Sequence, residues 1–262
     1  MIWSWWKKRR RAKLLRRPIP ADWISFLEQN VRLFHWLTDA ERRKLLDDVR
    51  ILVHEKHWEG CLAMRIDDEV KVTIAGQIAL LGLGFQELYF DKTPTILVYP
   101  DAYLAPHRQE LAGGGMLEGW QARLGEAWYR GPVVLAWSEV IAGGRGESDG
   151  QNVVVHEFAH QLDMLDGHAD GVPPMPGNRQ RRLWQQTMRR QYHAFRRLVQ
   201  RGTTGPMDDQ AAEDPAEFFA IATEAFIMQP RMLQSQMPVL YNLLRDYYRQ
   251  DPAARPGWDA PF

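Results

Sequence analysis

The stretch VVVHEFAHQLD, from Val153 to Asp163, decides the fold. On a helix, His156 and His160 lie four residues apart and project from the same face, so both imidazoles can reach one tetrahedral ion. Glu157, one step round, flanks the open position, where it can take a proton from a zinc-bound water. Hydrolysis requires that arrangement: the metal lowers the pKa of water towards about 7, and a carboxylate relays the proton to the leaving amine. The preceding SDGQN offers Asp149 or Asn152 as the helix N-cap, and Phe158, Ala159, Leu162 and Leu165 supply apolar surface for burial. The competing reading is a buried helix with two satisfied histidines. A chain with eight histidines produces HExxH by chance in roughly one or two cases per hundred, so a third ligand has to decide.

Three candidates stand downstream. Asp166 is six residues after His160, the position of the third ligand in HExxHxxGxxH proteases, but the turn glycine those proteins need is replaced by Asp163. His168, after Gly167, reaches the metal only if the helix ends early. The third candidate lies in EDPAEFFAIATEAF, where Asp214 and Pro215 open a second helix and Glu217 and Glu224, seven apart, share a face. A glutamate on a helix facing the HExxH helix completes a His2Glu site. Asp214-x-x-Glu217 also reads as a capping-box-like start, which is compatible with a ligand role. The spacing favours Glu217 as the third ligand, with Glu224 as reserve or outer carboxylate.

The rest of the chain bounds the reading. Its 262 residues carry 33 basic and 33 acidic side chains and are 45% hydrophobic, enough for a sizeable core and without a global field that favours nucleic acid. A single cysteine, Cys61, has no partner for an internal disulfide, which fits a reducing, cytoplasmic setting. Residues 1–18 form a basic, aromatic tail: eight of the eleven positions from Lys7 to Arg17 are Lys or Arg, and Trp3, Trp5 and Trp6 precede them. The order is wrong for a secretory signal. The tail reads as a solvated, frayed end with tryptophans folded back, or as a weak contact with an anionic membrane surface. No apolar run approaches the roughly 20 residues that span a bilayer.

Residues 19–262 read as one domain, with a helical part (19–90) before a catalytic part (91–262). Helices are expected over Ala21 to Arg50, restarting at Thr38-Asp39, and from Asp67 to Leu81 before the glycines of GLG. PTILVYP and GPVVLAW read as strands, LAGGGML between them as a mobile loop, and the chain beyond Asn152 as helical, broken at GVPPMPGN and RGTTGPMDDQ. The layout is α+β. His35, His54, His57 and His107 lack ligand spacing, and the arginine clusters at 179–182 and 189–190 read as solvated helix faces. No phosphate loop is present, and Ser138 has no GxSxG context.

Together, NVVVHEFAHQLDMLDG and EDPAEFFAIATEAF resemble the Mlc titration factor A family of zinc-dependent peptidases, whose catalytic core is similar to that of anthrax lethal factor. The resemblance implies a zincin-like core with a small sheet, an HExxH helix and a second ligand-bearing helix. It implies that His156, His160 and Glu217 bind one zinc ion per chain and that Glu157 is general base and acid. Asp163 matches an aspartate read as fixing a ligand histidine from outside the metal shell. The resemblance further implies aminopeptidase-like activity on peptide or protein substrates and binding to a glucose-responsive repressor of the Mlc type, with no direct nucleic-acid contact. One position departs from the family. A tyrosine that donates to the oxyanion is replaced by Gln210, whose amide donates a hydrogen bond but no phenolic proton. His168, Tyr192 and Tyr241 are the candidates to replace it. The sequence therefore carries two functional classes: a zinc peptidase, or a zinc-stabilised protein that sequesters a repressor, with the aromatic segment LYNLLRDYYRQDP as its partner surface, whose Tyr241, Leu244, Tyr247 and Tyr248 otherwise pack in the core.

Overall fold

A computed structural model describes residues 2–110, 116–123, 125–127, 131–202, 205 and 207–257, with the side chains of 2–4 and 103–127 set aside. Helix α1 (Ile2–Leu14) is followed by α2 (Ala21–Asn30), a 3-10 turn (Arg32–Trp36) and α3 (Asp39–Glu55). Thr38 and Glu41 close a full capping box at the start of α3, so the expected restart falls where the sequence places it. Strand β1 (His57–Gly60) leads to α4 (Asp68–Gly82), whose N-cap is the Asp67 side chain accepting from the Val70 N–H. Twelve of the fifteen residues of α4 are buried, which makes it the central helix, wrapped by its neighbours rather than lying on a surface.

Strands β2 (Thr95–Tyr99), β3 (Tyr103–Glu110), β4 (Met116–Arg123), β5 (Gly125–Ala127) and β6 (Val133–Ala136) follow. The larger sheet has the order β1-β2-β6-β5, with β1, β2 and β6 parallel and β5 antiparallel at the edge. β3 and β4 form a separate antiparallel pair. The two apolar runs bounded by Pro and Gly are thus β2 and β6, and all four residues of β6 are buried, as a strand covered on both faces requires. Strands β1, β3, β4 and β5 have no counterpart in the sequence reading. HWEG and GEA are too short and too polar to carry a periodic signal. Residues 111–115 of the expected loop LAGGGML lie outside the described residues, as do 203, 204 and 206 of RGTTGPMDDQ.

The second half is helical: α5 (Trp137–Arg145), α6 (Val153–Asp163), α7 (Asn178–Gln200), α8 (Pro215–Met228), α9 (Pro230–Gln236) and α10 (Pro238–Tyr248). One continuous core runs from Trp23 to Tyr248. In it Phe158 of α6 meets Phe90 edge-on at 4.9 Å, and Phe226 of α8 stacks on Tyr248 at 5.6 Å. Tyr241, Leu244 and Tyr248 are fully buried and Tyr247 is half-buried against Trp184, so the C-terminal aromatic segment is core and not a docking surface. Among the described residues no helix is long and apolar enough to cross a membrane.

Residues 2–14 correct the expectation of a frayed tail with tryptophans turned inwards. They form α1, which attaches through its charge: the buried Arg11 guanidinium forks onto Glu55 at 2.9 and 2.6 Å and reaches Asp91 at 2.9 Å. Trp5 and Trp6 face outwards, and the side chain of Trp3 lies outside the described residues.

Candidate metal centre

Helix α6 is held at its start by Asn152, whose side chain accepts from the Val155 N–H at 3.0 Å. Of the two proposed caps, Asn152 is the one used. Helix α8 is held by Asp214, which accepts from the N–H groups of Ala216 and Glu217 at 2.8 and 2.9 Å, with Pro215 at the first helical position. That is half of a capping box. The Glu217 carboxylate does the other job open to it and turns to α6.

There the Nε2 atoms of His156 and His160 lie 3.2 Å apart. One Glu217 oxygen is 3.4 Å from His156 Nε2 and the other is 3.2 Å from His160 Nε2. Tetrahedral coordination with bonds of about 2.0 to 2.1 Å separates neighbouring ligand atoms by about 3.3 to 3.4 Å. The nearest atoms of the three groups approach that spacing, each imidazole facing its own Glu217 oxygen, and among the described residues they are the group able to hold a metal ion. Their side chains keep 20%, 14% and 28% exposure for His156, His160 and Glu217, so the cluster is only partly buried. Two imidazole nitrogens and a carboxylate are groups that bind divalent transition metals.

Glu224 occupies a different place. Its Oε2 faces His156 Nδ1 at 3.2 Å, on the far side of the ring from Nε2, while its Oε1 accepts from the Asn152 N–H at 2.6 Å. A carboxylate at Nδ1 favours a proton there, and in the neutral ring this leaves Nε2 as the atom free to bind a metal. The sequence left two roles open for Glu224, and the structure places it against Nδ1 rather than in the cluster of Nε2 atoms. Burial opposes a charge on His156, but Glu217 and Glu224 on its two nitrogens prevail and raise its pKa well above the ordinary value. Burial likewise opposes ionisation of Glu217, yet the two histidines hold its pKa far below the carboxylate range.

Glu157 is buried beside them at 5% exposure, and its charge acts on His156. Asp163 does not repeat the role of Glu224. Its Oδ2 accepts from the Gly171 N–H at 2.8 Å, and its buried Oδ1 has no hydrogen-bond partner. Burial pushes this carboxyl up to about 6, against the pull of the Gly171 and Val172 amides. Asp163 thus fixes the segment after the helix. Gly171 also gives its carbonyl to Trp184 Nε1 at 2.8 Å and sits at φ +73°, with space for a Cβ blocked by the Pro215 carbonyl at 2.4 Å.

The remaining candidates lie elsewhere. Asp166 accepts from the His168 N–H at 3.2 Å and pairs with Arg181 at 3.2 Å, so neither it nor His168 joins the cluster. Tyr241 donates to Asp251 at 2.5 Å and accepts from the Ala253 N–H at 3.0 Å in the core, and the Tyr192 hydroxyl serves the Ala212 and Glu213 carbonyls at 3.2 Å each. Both phenols are committed to backbone or core partners, which removes them as oxyanion donors. Gln210 is exposed on a 3-10 turn (Asp209–Ala212), its N–H capped by Asp208 at 2.8 Å. His35 spends Nε2 on the Glu28 carbonyl, His54 and His57 are exposed, and the His107 side chain lies outside the described residues. The sequence reading missed Gly171 and the Asn152 N–H. Both act through backbone groups, which leave no mark on residue type beyond a lone glycine after Asp170.

The family model for glucose-regulated metallo-peptidase M90 matches residues 3–249. An uncharacterized protein of Synechocystis is 33% identical over 254 residues, covering 96% of this chain and 92% of its own. Proteins named Mlc titration factor A from Yersinia pestis and Yersinia pseudotuberculosis are each 29% identical over 259 residues, covering 97% of this chain and 91% of theirs.

Proposed function

Given that the chain belongs to the glucose-regulated metallo-peptidase M90 family, we propose that it is a zinc-dependent peptidase in which His156, His160 and Glu217 hold the ion and Glu157 moves the proton. The observation that carries this is the convergence of the two Nε2 atoms, 3.2 Å apart, on the Glu217 carboxylate, whose two oxygens face them at 3.4 and 3.2 Å. Zinc, when bound, supplies a Lewis acid that polarises the scissile carbonyl and brings the pKa of a water to about 7. The Glu157 carboxylate takes the proton of the attacking water and hands it to the leaving nitrogen, so that the peptide C–N bond breaks to a free acid and a free amine. Glu224 keeps His156 in the tautomer that presents Nε2, and Asp214 sets the first turn of α8 so that Glu217 meets both rings. This fits the zincin-like architecture and a His2Glu centre. We read residues 19–262 as the working unit, acting in the cytoplasm with aminopeptidase-like preference.

A second reading is favoured by the name of the Yersinia relatives and by Gln210. The name Mlc titration factor A points to Mlc as the partner of those relatives, and an amide at position 210 gives this chain a weaker oxyanion donor than a phenol. In that case the metal stabilises a surface that sequesters a repressor of this kind. Metal content by mass spectrometry, for the protein and for Glu217→Ala, joined to turnover of aminoacyl and short-peptide chromogenic substrates, separates the readings. One zinc per chain, diminished in the variant and accompanied by chelator-sensitive turnover, is the expected result. Zinc without turnover on any substrate transfers the assignment to the repressor-binding protein, and no zinc at all returns α6 to a structural helix.

A further inference from the structure

Helix α1 is mounted the wrong way round for a helix that serves only its own fold. Residues four apart share a face, so Lys7, Arg11 and Leu14 line one side and Trp5, Arg9 and Lys13 the other, with Trp6 and Arg10 beside them. The side turned to the protein is the charged one. Arg11 is 7% exposed, forks onto Glu55, touches Asp91 and lies over the Tyr89 ring at 4.1 Å, while Lys7 reaches Asp91 at 2.6 Å. Arg50 adds a bond to the Leu14 carbonyl at 2.8 Å. The side turned to solvent carries Trp5 at 54% and Trp6 at 62% exposure. A helix that needed only to be anchored gains more by burying two indoles than by burying a guanidinium.

The geometry points to a peripheral membrane contact: the outward face of α1 lies on an anionic bilayer, with the Trp5 and Trp6 rings at headgroup depth and the cations around them on lipid phosphates. Charge selects this occupant. Arg9, Arg10, Lys13, Arg16 and Arg17 are all exposed, and no acidic residue occurs from Ile2 to Ala21. Indoles place an apolar ring in the acyl boundary and an N–H donor in the headgroups, and each nearby Lys or Arg strengthens binding to an anionic leaflet roughly fivefold. Stacking on nucleic-acid bases fits less well, because Arg9 stands over the face of Trp5 at 5.2 Å and the two indoles meet at 87°, leaving no shared flat platform. The contact is independent of the peptidase reading, since none of these residues belongs to the metal centre. The acidic segment that grips α1 continues into Lys92, which bonds the Leu165 carbonyl just beyond α6, so a docked helix would hold the metal centre in a fixed orientation to the surface.

Co-sedimentation of the full chain with vesicles tests it, comparing phosphatidylcholine alone with phosphatidylcholine enriched in phosphatidylglycerol, across a salt series. We expect binding to the anionic vesicles only, weakened by salt, at least about tenfold weaker in Trp5→Ala/Trp6→Ala and roughly fivefold weaker in Lys13→Gln. Far-ultraviolet circular dichroism and metal content of the variants confirm that each retains its fold. Absence of binding to anionic vesicles overturns the inference, as does binding that the double tryptophan variant leaves unchanged. Two further outcomes reassign the face and equally overturn it: Trp-dependent binding to single-stranded DNA without vesicle binding, and lipid-free self-association abolished by the double variant.

Discussion

Glu224→Ala isolates the part of the metal centre that touches no metal. The carboxylate holds two partners at once, His156 Nδ1 at 3.2 Å and the Asn152 N–H at 2.6 Å, from a position 8% exposed. Truncation removes the acceptor that fixes the His156 tautomer, and loss of such an outer partner lowers metal affinity about 10- to 100-fold, or about 1.4 to 2.7 kcal/mol. It also strands the buried Asn152 N–H, which costs a further 1 to 3 kcal/mol or so of folding free energy whether or not metal is present. The two effects separate by assay. Competition for zinc against a chelator of known affinity reads the first, and urea unfolding in excess chelator reads the second. Stoichiometry at saturating zinc should remain one, because Glu224 faces the ring nitrogen opposite the cluster. Glu224→Gln keeps an acceptor for Asn152 and should recover most of the stability but little of the zinc affinity, since an amide holds the imidazole proton less strongly than a carboxylate. Unchanged zinc affinity in Glu224→Ala, or saturation at zero zinc, refutes the division of labour between the two glutamates.

Four other outcomes follow from the same structure. Glu157→Gln should retain zinc and lose peptide turnover by at least about 100-fold, the contribution of a positioned general base; retained turnover removes Glu157 from the chemistry. Gln210→Tyr should raise peptidase activity in a folded, zinc-loaded protein, and unchanged or lower turnover ends the oxyanion role for position 210. Gly171→Ala should lower both stability and zinc affinity, because a Cβ there meets the Pro215 carbonyl at 2.4 Å at φ +73°, two residues before Glu217. Wild-type zinc affinity in that variant would show that the turn does not position the ligand. For Asp48, burial, only partly offset by Lys44, pushes the carboxyl up to about 6 from 3.8. A raised folded-state value means that the native state binds the proton more tightly, so this stabilisation is present at acid pH and is lost as pH rises through about 6. Asp48→Asn should flatten the fall in unfolding free energy between pH 4.5 and 7 by about 2 kcal/mol, and a parallel pH profile counts against a buried, protonatable Asp48.

What the sequence made legible was carried by side chains with local periodicity. Asn152 and Thr38 cap the helices they precede, Pro and Gly bound β2 and β6, and the four-residue spacing of His156 and His160 predicts the nitrogen pair that the structure sets 3.2 Å apart. What remained illegible depends on contacts distant in sequence. HWEG becomes β1 because Thr95 to Val98 offers it a parallel edge, not because of its own four residues. Basic residues 7–17 read as solvated until Glu55 and Asp91, more than forty residues away, are seen to enclose Arg11.

The clearest measure of that boundary is one pattern with two outcomes. Thr38-x-x-Glu41 and Asp214-x-x-Glu217 are the same local signal, an oxygen-bearing cap followed three residues later by glutamate. At α3 the box closes in both directions, with the Thr38 N–H bonded to Glu41 at 3.0 Å and the Glu41 N–H to Thr38 at 3.3 Å. At α8 only the Asp214 half forms, and the Glu217 carboxylate leaves its own helix for two imidazoles on α6. The local bond that Glu217 forgoes is worth about 1 kcal/mol. Two contacts to histidines in a partly buried site, where Glu217 is drawn far below its ordinary pKa, outweigh it. A cap-like glutamate that declines its cap is therefore evidence for a ligand, and that inference requires the facing helix, which the sequence supplies as a motif and only the fold brings within reach.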